Sequence, residues 1–247
     1  MSERRSDFER DGYVACRGFL GTDELATLRA ELSRVVREVV PAMPRHHVFL
    51  EDAADAGSIK QLQQLHVHDP FFGGLIAEGR LPALAAELLG EPVRPVNLQF
   101  FDKRAAGSRP TPPHQDGFYF MLEPCRAVTM WLALEDVSEI QGCVRYVRGS
   151  HREGLRPHVR SGVLGFSQHV ADYGAAGEAA REVAFPCQAG DLLAHDALTI
   201  HRADANRDPV RSRKALGFIY YAESARVDEA RHAAYQEQLA REMRCGG

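Results

Sequence analysis

From residue 92 onward the chain breaks into short apolar runs: "VRPVNLQFFD", "AVTMWLALED", "CVRYVRGSH", "EVAFPC", "GDLLAHDALTIH" and "KALGFIYYAE". Each is rich in Val, Leu, Phe or Tyr and is punctuated by Gly, Pro or Asp, the spacing of strands in a β-sandwich or small barrel. Before residue 92 the period changes. Leu25, Leu28, Leu32, Val35 and Val39 recur at helical spacing. They predict an amphipathic helix over Thr22–Val39, with Thr22 as N-cap and Asp23 and Glu24 at the positive end of the dipole. "LPALAAELLG" predicts a second helix, ended by Gly90. The segment between them, "PRHHVFLEDAADAGSIKQLQQLHVHDPFF", has no clean period and reads as mixed helix and loop. Residues 155 to 181 hold four glycines without a strong period and form the longest candidate loop, a natural lid. "VDEARHAAYQEQLAREM" predicts a polar closing helix over about 227–243. The expected architecture is mainly β with flanking helices. A helical N-terminal part (1–90) leads into a β core (about 91–222), all in one domain over 1–247 with no linker.

The length of 247 residues suits one domain of generous size. No apolar run approaches the roughly 18 residues of a membrane span, and the charged start "MSERRSDFERDG" predicts no secretory leader. A net charge of −4 without a basic cluster excludes nucleic acid as the main partner. Cys16, Cys125, Cys143, Cys187 and Cys245 form no C-x-x-C pair, so neither a zinc knuckle nor a disulfide framework is expected. They read as free thiols in a reducing cytoplasm.

The chemistry concentrates in "PPHQDGFYF", which places His114 and Asp116 two residues apart among aromatics. In an extended strand, positions i and i+2 project to one side. A His and an Asp aimed at one point suit a divalent iron site completed by a second His from a distant strand, with positions left open for a bidentate cosubstrate and dioxygen. The pair alone is a weak signal. Downstream, "GDLLAHDALTIHRADANRDPVRSRKALGFIYY" offers His195 and His201 as the third ligand. It also places Arg213 where a strand begins, able to bind a carboxylate through two parallel hydrogen bonds.

The ordered set HQDGFYF, W-x-A-L-E-D, GC-x-x-Y-V-x-GSH, GD-x-L-x-H and then His with Asn and R-K-A resembles the phytanoyl-CoA dioxygenase-like family. These are iron(II)- and 2-oxoglutarate-dependent oxygenases on a double-stranded β-helix, a cupin-like jelly roll. The similarity runs from about Phe8 to about Tyr221. It implies His114, Asp116 and His201 as iron ligands, with His195 a buried neighbour, and Arg213 as partner of the distal 2-oxoglutarate carboxylate. Trp131 matches a position that contacts the cosubstrate, Thr129 shares its side of the strand, and Gln99 is a candidate amide donor to the same molecule. Phe118 and Tyr119 are expected to line the cavity. Two departures stand out. Ala203 replaces a usual hydroxyl after the distal His, and the longer spacing to the arginine leaves Arg211 as a rival to Arg213.

The resemblance further implies Fe(II), 2-oxoglutarate and O2 as cofactor and cosubstrates, with ascorbate as reductant, in a monomer or homodimer. The expected reaction oxidises an unactivated C–H bond of a small-molecule metabolite and releases succinate and CO2. An acyl-thioester hydroxylase of the same family is the second reading, and a cupin-like metal-binding protein without oxygenase activity the third. A halogenase of this fold would lack the carboxylate, against Asp116. His46, His47, His66 and His68 are expected to be solvated or at the substrate rim.

Overall fold

The structure, a computed structural model, describes residues 2–163, 166–235 and 237. Among the described residues, five α-helices and two short 3-10 turns occupy the N-terminal part, the α-helices being α1 (Glu3–Asp11), α2 (Thr22–Glu38), α3 (Leu65–His68), α4 (Pro70–Ala77) and α5 (Arg80–Leu89). The N-cap of α2 is Gly21, one residue earlier than expected, and its N–H donates to the Glu24 carboxylate at 3.0 Å. Helix α5 ends as predicted, with Gly90 in the left-handed region at φ 74°.

The N-terminal part is not helical throughout. It contributes β1 (Tyr13–Cys16), β2 (Val48–Leu50) and β3 (Ile59–Leu62), so the stretch read as mixed helix and loop carries two strands. The remaining strands are β4 (Val93–Lys103), β5 (Thr111–His114), β6 (Leu122–Glu123), β7 (Ala127–Ala133), β8 (Val144–Val147), β9 (His158–Val163), β10 (Phe166–Val170), β11 (Glu182–Phe185), β12 (Leu192–Asp196), β13 (His201–Ala203), β14 (Arg213–Ala222) and β15 (Arg226–Val227). The candidate loop over 155–181 holds the β9–β10 hairpin and a short α7 (Glu178–Arg181). A helix begins at residue 229, after β15. The rest of the expected closing helix lies outside the described residues, as does Cys245.

The strands form a jelly roll. A seven-stranded sheet runs β1-β12-β7-β14-β4-β3-β2 and a four-stranded sheet runs β11-β8-β13-β5, with every pairing antiparallel. Period-two alternation in β14 sorts its side chains between two surroundings. Leu216, Phe218 and Tyr220 join the core packed against α2, α4 and α5, and the Tyr220 hydroxyl donates to the Ile76 carbonyl at 2.9 Å. Arg213, Gly217 and Ile219 turn to the other side and line a cavity. The register extends this inner face across neighbouring strands: Gly217 stands between Gln99 and Trp131, and Ile219 between Asn97 and Thr129. A Cβ at position 217 would lie 2.9 Å from the Phe101 ring, so glycine there keeps this part of the wall open.

Candidate metal centre

Strand β5 is an edge of the smaller sheet, which accommodates Pro112 and Pro113 without a lost ladder bond. It ends at His114, whose register partner is His201 on β13. Asp116 is not extended. Its backbone is helical (φ −61°, ψ −32°) and opens the one-turn helix α6 (Gly117–Phe120). The strand-to-helix turn, rather than simple alternation, therefore aims Asp116 beside His114. Gly117 makes that turn possible: a Cβ there would lie 2.7 Å from Cys125 Sγ and 3.2 Å from the Ala197 carbonyl oxygen.

The ligand atoms of His114, Asp116 and His201 all lie within 4.8 Å of one another. Asp116 Oδ1 is 3.5 Å from His114 Nε2 and 3.7 Å from His201 Nε2. Backbone carbonyls fix both rings: His114 Nδ1 lies 2.8 Å from the Pro112 oxygen, and His201 Nδ1 lies 3.0 Å from the Thr199 oxygen. A carbonyl can only accept, so Nδ1 carries the proton in each ring and Nε2 presents its lone pair. Two nitrogen lone pairs facing a carboxylate oxygen repel one another unless a cation lies between them. Nitrogen and oxygen donors in this arrangement fit a divalent metal such as iron.

His195 has the opposite tautomer. Its Nε2 is 3.1 Å from Asp116 Oδ2 and its Nδ1 is 3.1 Å from the Tyr146 hydroxyl. The carboxylate accepts, so Nε2 is protonated and cannot coordinate. The Thr129 hydroxyl donates to the same Oδ2 at 2.6 Å. Two donors thus occupy the outer oxygen and leave Oδ1 facing the imidazoles. Burial disfavours charge on Asp116, but His201, His114 and His195 outweigh it and hold the carboxyl well below its ordinary range. Burial, with His195 and His114 alongside, pushes His201 well below the ordinary imidazole range, so it is neutral at physiological pH.

The cavity beside these residues measures about 460 Å³. Arg213 lies in its wall, 4% exposed, with Nη1 donating to the Gly142 carbonyl at 2.9 Å and Nε buried without a hydrogen-bond partner. Burial lowers its pKa to about 10, so the guanidinium is still charged at neutral pH. It sits 5.2 Å from the centroid of the Trp131 ring. A buried cation with an unmatched donor at a cavity wall fits an anionic group of a bound cosubstrate. Arg211 is elsewhere: its side chain is 57% exposed and pairs with Asp208 at 2.7 Å.

The other expected residues divide. Gln99 lines the cavity and accepts from Gln61 Nε2 at 3.2 Å. Thr129 lines it too, but its hydroxyl is committed to Asp116. Tyr119 is part of the wall, whereas Phe118 stacks on His158, with ring centroids 4.5 Å apart. Sequence reasoning gave no role to Gln115, which is fully buried. Its side-chain amide donates to the Gly154 and Leu198 carbonyls at 2.9 and 2.6 Å, its side-chain oxygen accepts from Arg156 N–H at 2.8 Å, and its own N–H reaches His158 Nε2 at 3.2 Å. The position between two candidate ligands was the only available signal.

Fold and clustered His, Asp and His side chains define the class, the 2-oxoglutarate-dependent oxygenases built on a jelly roll. The particular family follows from comparison. The family model for phytanoyl-CoA dioxygenase (PhyH) matches residues 8–215, and the chain belongs to this family. The phytanoyl-CoA dioxygenase of Arabidopsis thaliana is 25% identical over 235 residues, covering 81% of each chain. The ectoine dioxygenase of Stutzerimonas stutzeri is 24% identical over 248 residues, covering 95% of this chain and 80% of the relative. Among solved structures, the epimerase SnoN in complex with Fe3+, α-ketoglutarate and nogalamycin RO superposes with a TM-score of 0.72 at 28% identity, covering 90% of this chain and 83% of that one. The α-ketoglutarate-dependent carbocyclase SnoK from nogalamycin biosynthesis superposes with a TM-score of 0.73 at 26% identity, covering 91% and 85%.

Proposed function

We propose that this protein binds Fe(II) through His114 Nε2, Asp116 Oδ1 and His201 Nε2, takes 2-oxoglutarate against Arg213, and oxidises a small neutral metabolite. The observation that carries the reading is the buried, partly unmatched Arg213 guanidinium in the same cavity as the three ligand atoms. A metal-binding protein without oxygenase activity would have no use for that charge. Iron, when bound, supplies the activation of dioxygen and the oxidation of a C–H bond, coupled to conversion of 2-oxoglutarate to succinate and carbon dioxide. The protein's own contribution is position. Thr129 and His195 hold the outer Asp116 oxygen, Pro112 and Thr199 fix the two rings, and Trp131 flanks the anchoring arginine.

Five carboxamides, Gln61, Gln63, Gln64, Asn97 and Gln99, also line the cavity. Gln64 N–H donates to Asn97 Oδ1 at 2.9 Å, so the Asn97 NH2 is the end left to bind other groups. Gln61 and Gln99 share one hydrogen bond, and Gln61 Oε1 is buried without a partner. Asp116 is the only carboxylate among the lining residues, and Arg202 is matched by Glu182 and Asp204. The carboxamide side of the cavity, with both donors and acceptors and no charge of its own, supports a neutral metabolite bearing hydroxyl or carbonyl groups. Strands β1, β2 and β3 close the sheet that carries Trp131 and Arg213, which supports one oxygenase domain over 1–247. Among the described residues no helix is long and apolar enough to cross a membrane, and Cys16, Cys125, Cys143 and Cys187 are free thiols, which supports a reducing compartment such as the cytoplasm.

The test is anaerobic titration of the iron-loaded protein with 2-oxoglutarate, followed by succinate release on adding dioxygen. A charge-transfer band and 2-oxoglutarate-dependent succinate are expected. Metal binding without either would leave the non-oxygenase reading.

A further inference from the structure

Tyr146 is fully buried on β8, directly opposite the candidate ligand His201 in the register. Its ring centroid lies 5.1 Å from His195 and 6.2 Å from His201. The phenol meets His195 Nδ1 at 3.1 Å, and because His195 Nε2 is protonated toward Asp116, Nδ1 must accept the phenol proton's hydrogen bond. On its other side Tyr146 stacks on Tyr13, centroids 4.9 Å apart at 16°. Phe185 closes against both rings at 5.1 and 5.5 Å. Tyr13 is 6% exposed, and its hydroxyl accepts from Arg148 Nε at 3.4 Å, a side chain that is itself 59% exposed. Two phenols therefore bridge the distance from the ligand set to the rim of the protein. A phenylalanine would fill the Tyr146 site without the buried hydroxyl.

We propose that Tyr146 and Tyr13 form a relay that draws oxidising equivalents away from the metal centre when no substrate is bound. The inference rests on the iron and 2-oxoglutarate chemistry proposed above, whose dioxygen-derived oxidant at the metal is the electron acceptor. In the first step Tyr146 gives one electron to that oxidant and its phenol proton to His195 Nδ1, which is already within hydrogen-bond reach. A neutral tyrosyl radical and an imidazolium result. In the second step Tyr13 gives an electron to the Tyr146 radical, which takes its proton back from His195, while the Tyr13 proton leaves to solvent. A small one-electron donor such as ascorbate then returns a hydrogen atom to Tyr13. Each pass delivers one electron, so two passes, drawing two hydrogen atoms from the small donor and releasing two protons, spend a two-electron oxidant on replaceable electrons rather than on the side chains of the cavity.

The experiment mixes the iron(II)-loaded protein with 2-oxoglutarate and dioxygen, without substrate, and freezes samples for EPR while succinate is assayed in parallel. A tyrosyl radical is expected, with hyperfine structure that collapses when ring-deuterated tyrosine is incorporated. Tyr146→Phe should lose the signal, and mass spectrometry should find oxidised residues accumulating around the cavity. Tyr13→Phe should keep a radical at Tyr146, and that radical should outlive the wild-type signal. Succinate release without a radical in the wild-type protein overturns the relay, as does an unchanged signal in Tyr146→Phe. Absence of succinate overturns the relay, and absence of the 2-oxoglutarate charge-transfer band as well overturns the proposed oxygenase.

Discussion

The molecule carries two groups of histidines, and they differ in what holds the rings. His46, His47, His66 and His68 gather near β2 and α3, where His47 Nδ1 lies 2.9 Å from His68 Nε2 and the His46 and His47 rings are 4.3 Å apart. These rings bond to one another, and His66 Nδ1 accepts from the Leu98 N–H at 3.3 Å. His114 and His201 instead each commit Nδ1 to a backbone carbonyl and turn Nε2 to one carboxylate. Among the described residues, only His114, Asp116 and His201 form a three-ligand group within metal-binding reach. Imidazole number does not make a metal site. A fixed tautomer and an anionic partner do.

Removing the anion has the largest expected effect. Asp116→Ala should abolish metal retention and succinate production, whereas His47→Ala with His68→Ala should leave metal content near one per chain. Elemental analysis of both proteins decides it, and metal lost from the second would reverse the assignment. Next in size is the cosubstrate anchor. Losing one partner of a buried charge-assisted pair costs about 2–5 kcal/mol, so Arg213→Ala should weaken 2-oxoglutarate binding about 30-fold or more. Arg213→Lys should recover part of that, and Arg211→Ala should match the wild type in the same anaerobic titration.

A smaller effect is expected behind the carboxylate. Removing a hydrogen-bond partner of a metal ligand typically weakens the metal about 10–100-fold. Thr129→Val should fall at the lower end, about 10-fold, because His195 still holds Oδ2. Competition with a metal-binding dye measures it, and unchanged affinity would deny Thr129 its positioning role.

The smallest concerns the outer histidines. Burial, with His46 and His68 nearby, lowers the His47 pKa, and burial with His68 lowers that of His66. A base with a depressed folded pKa takes up protons on unfolding, so stability is full above an unfolded pKa of about 6.5 and declines as pH falls below it. The metal-free protein should melt at progressively lower temperature below that pH. A His47→Asn, His66→Asn variant should show a flatter decline, and identical slopes would mean these two rings contribute nothing.

Sequence pattern reads β4, β7, β8, β11, β12 and β14, where Val, Leu and aromatic residues cluster, but β5 lies outside those apolar runs and β9 and β10 lie in the stretch expected to be a loop. It failed at β3, "IKQL", because Gln61 is buried at 3% exposure and spoils the alternation. In β10 the buried Gln168 does the same. The candidate ligands His114, Asp116 and His201 are legible in the ordered motifs, but strand alternation is not what brings Asp116 beside His114, since its backbone is helical. Thr129 was singled out for its side of the strand, and the structure gives its hydroxyl to Asp116. His195 and Tyr146 acquire meaning only through tautomers, and no one-dimensional pattern encodes which ring nitrogen faces a carbonyl.

Three of the four bonds of Gln115 tie the turn between His114 and Asp116 to the 154–158 segment, and the fourth ties it to the Leu198 carbonyl, making one mechanical piece. Tyr119 adds to it, its hydroxyl meeting both the N–H and the carbonyl of Gln168 on β10 at 3.1 and 3.2 Å. A segment fastened this way cannot shift while the residue between His114 and Asp116 stays still. Any displacement of β9 and β10 is therefore passed directly to the turn that carries His114 and Asp116.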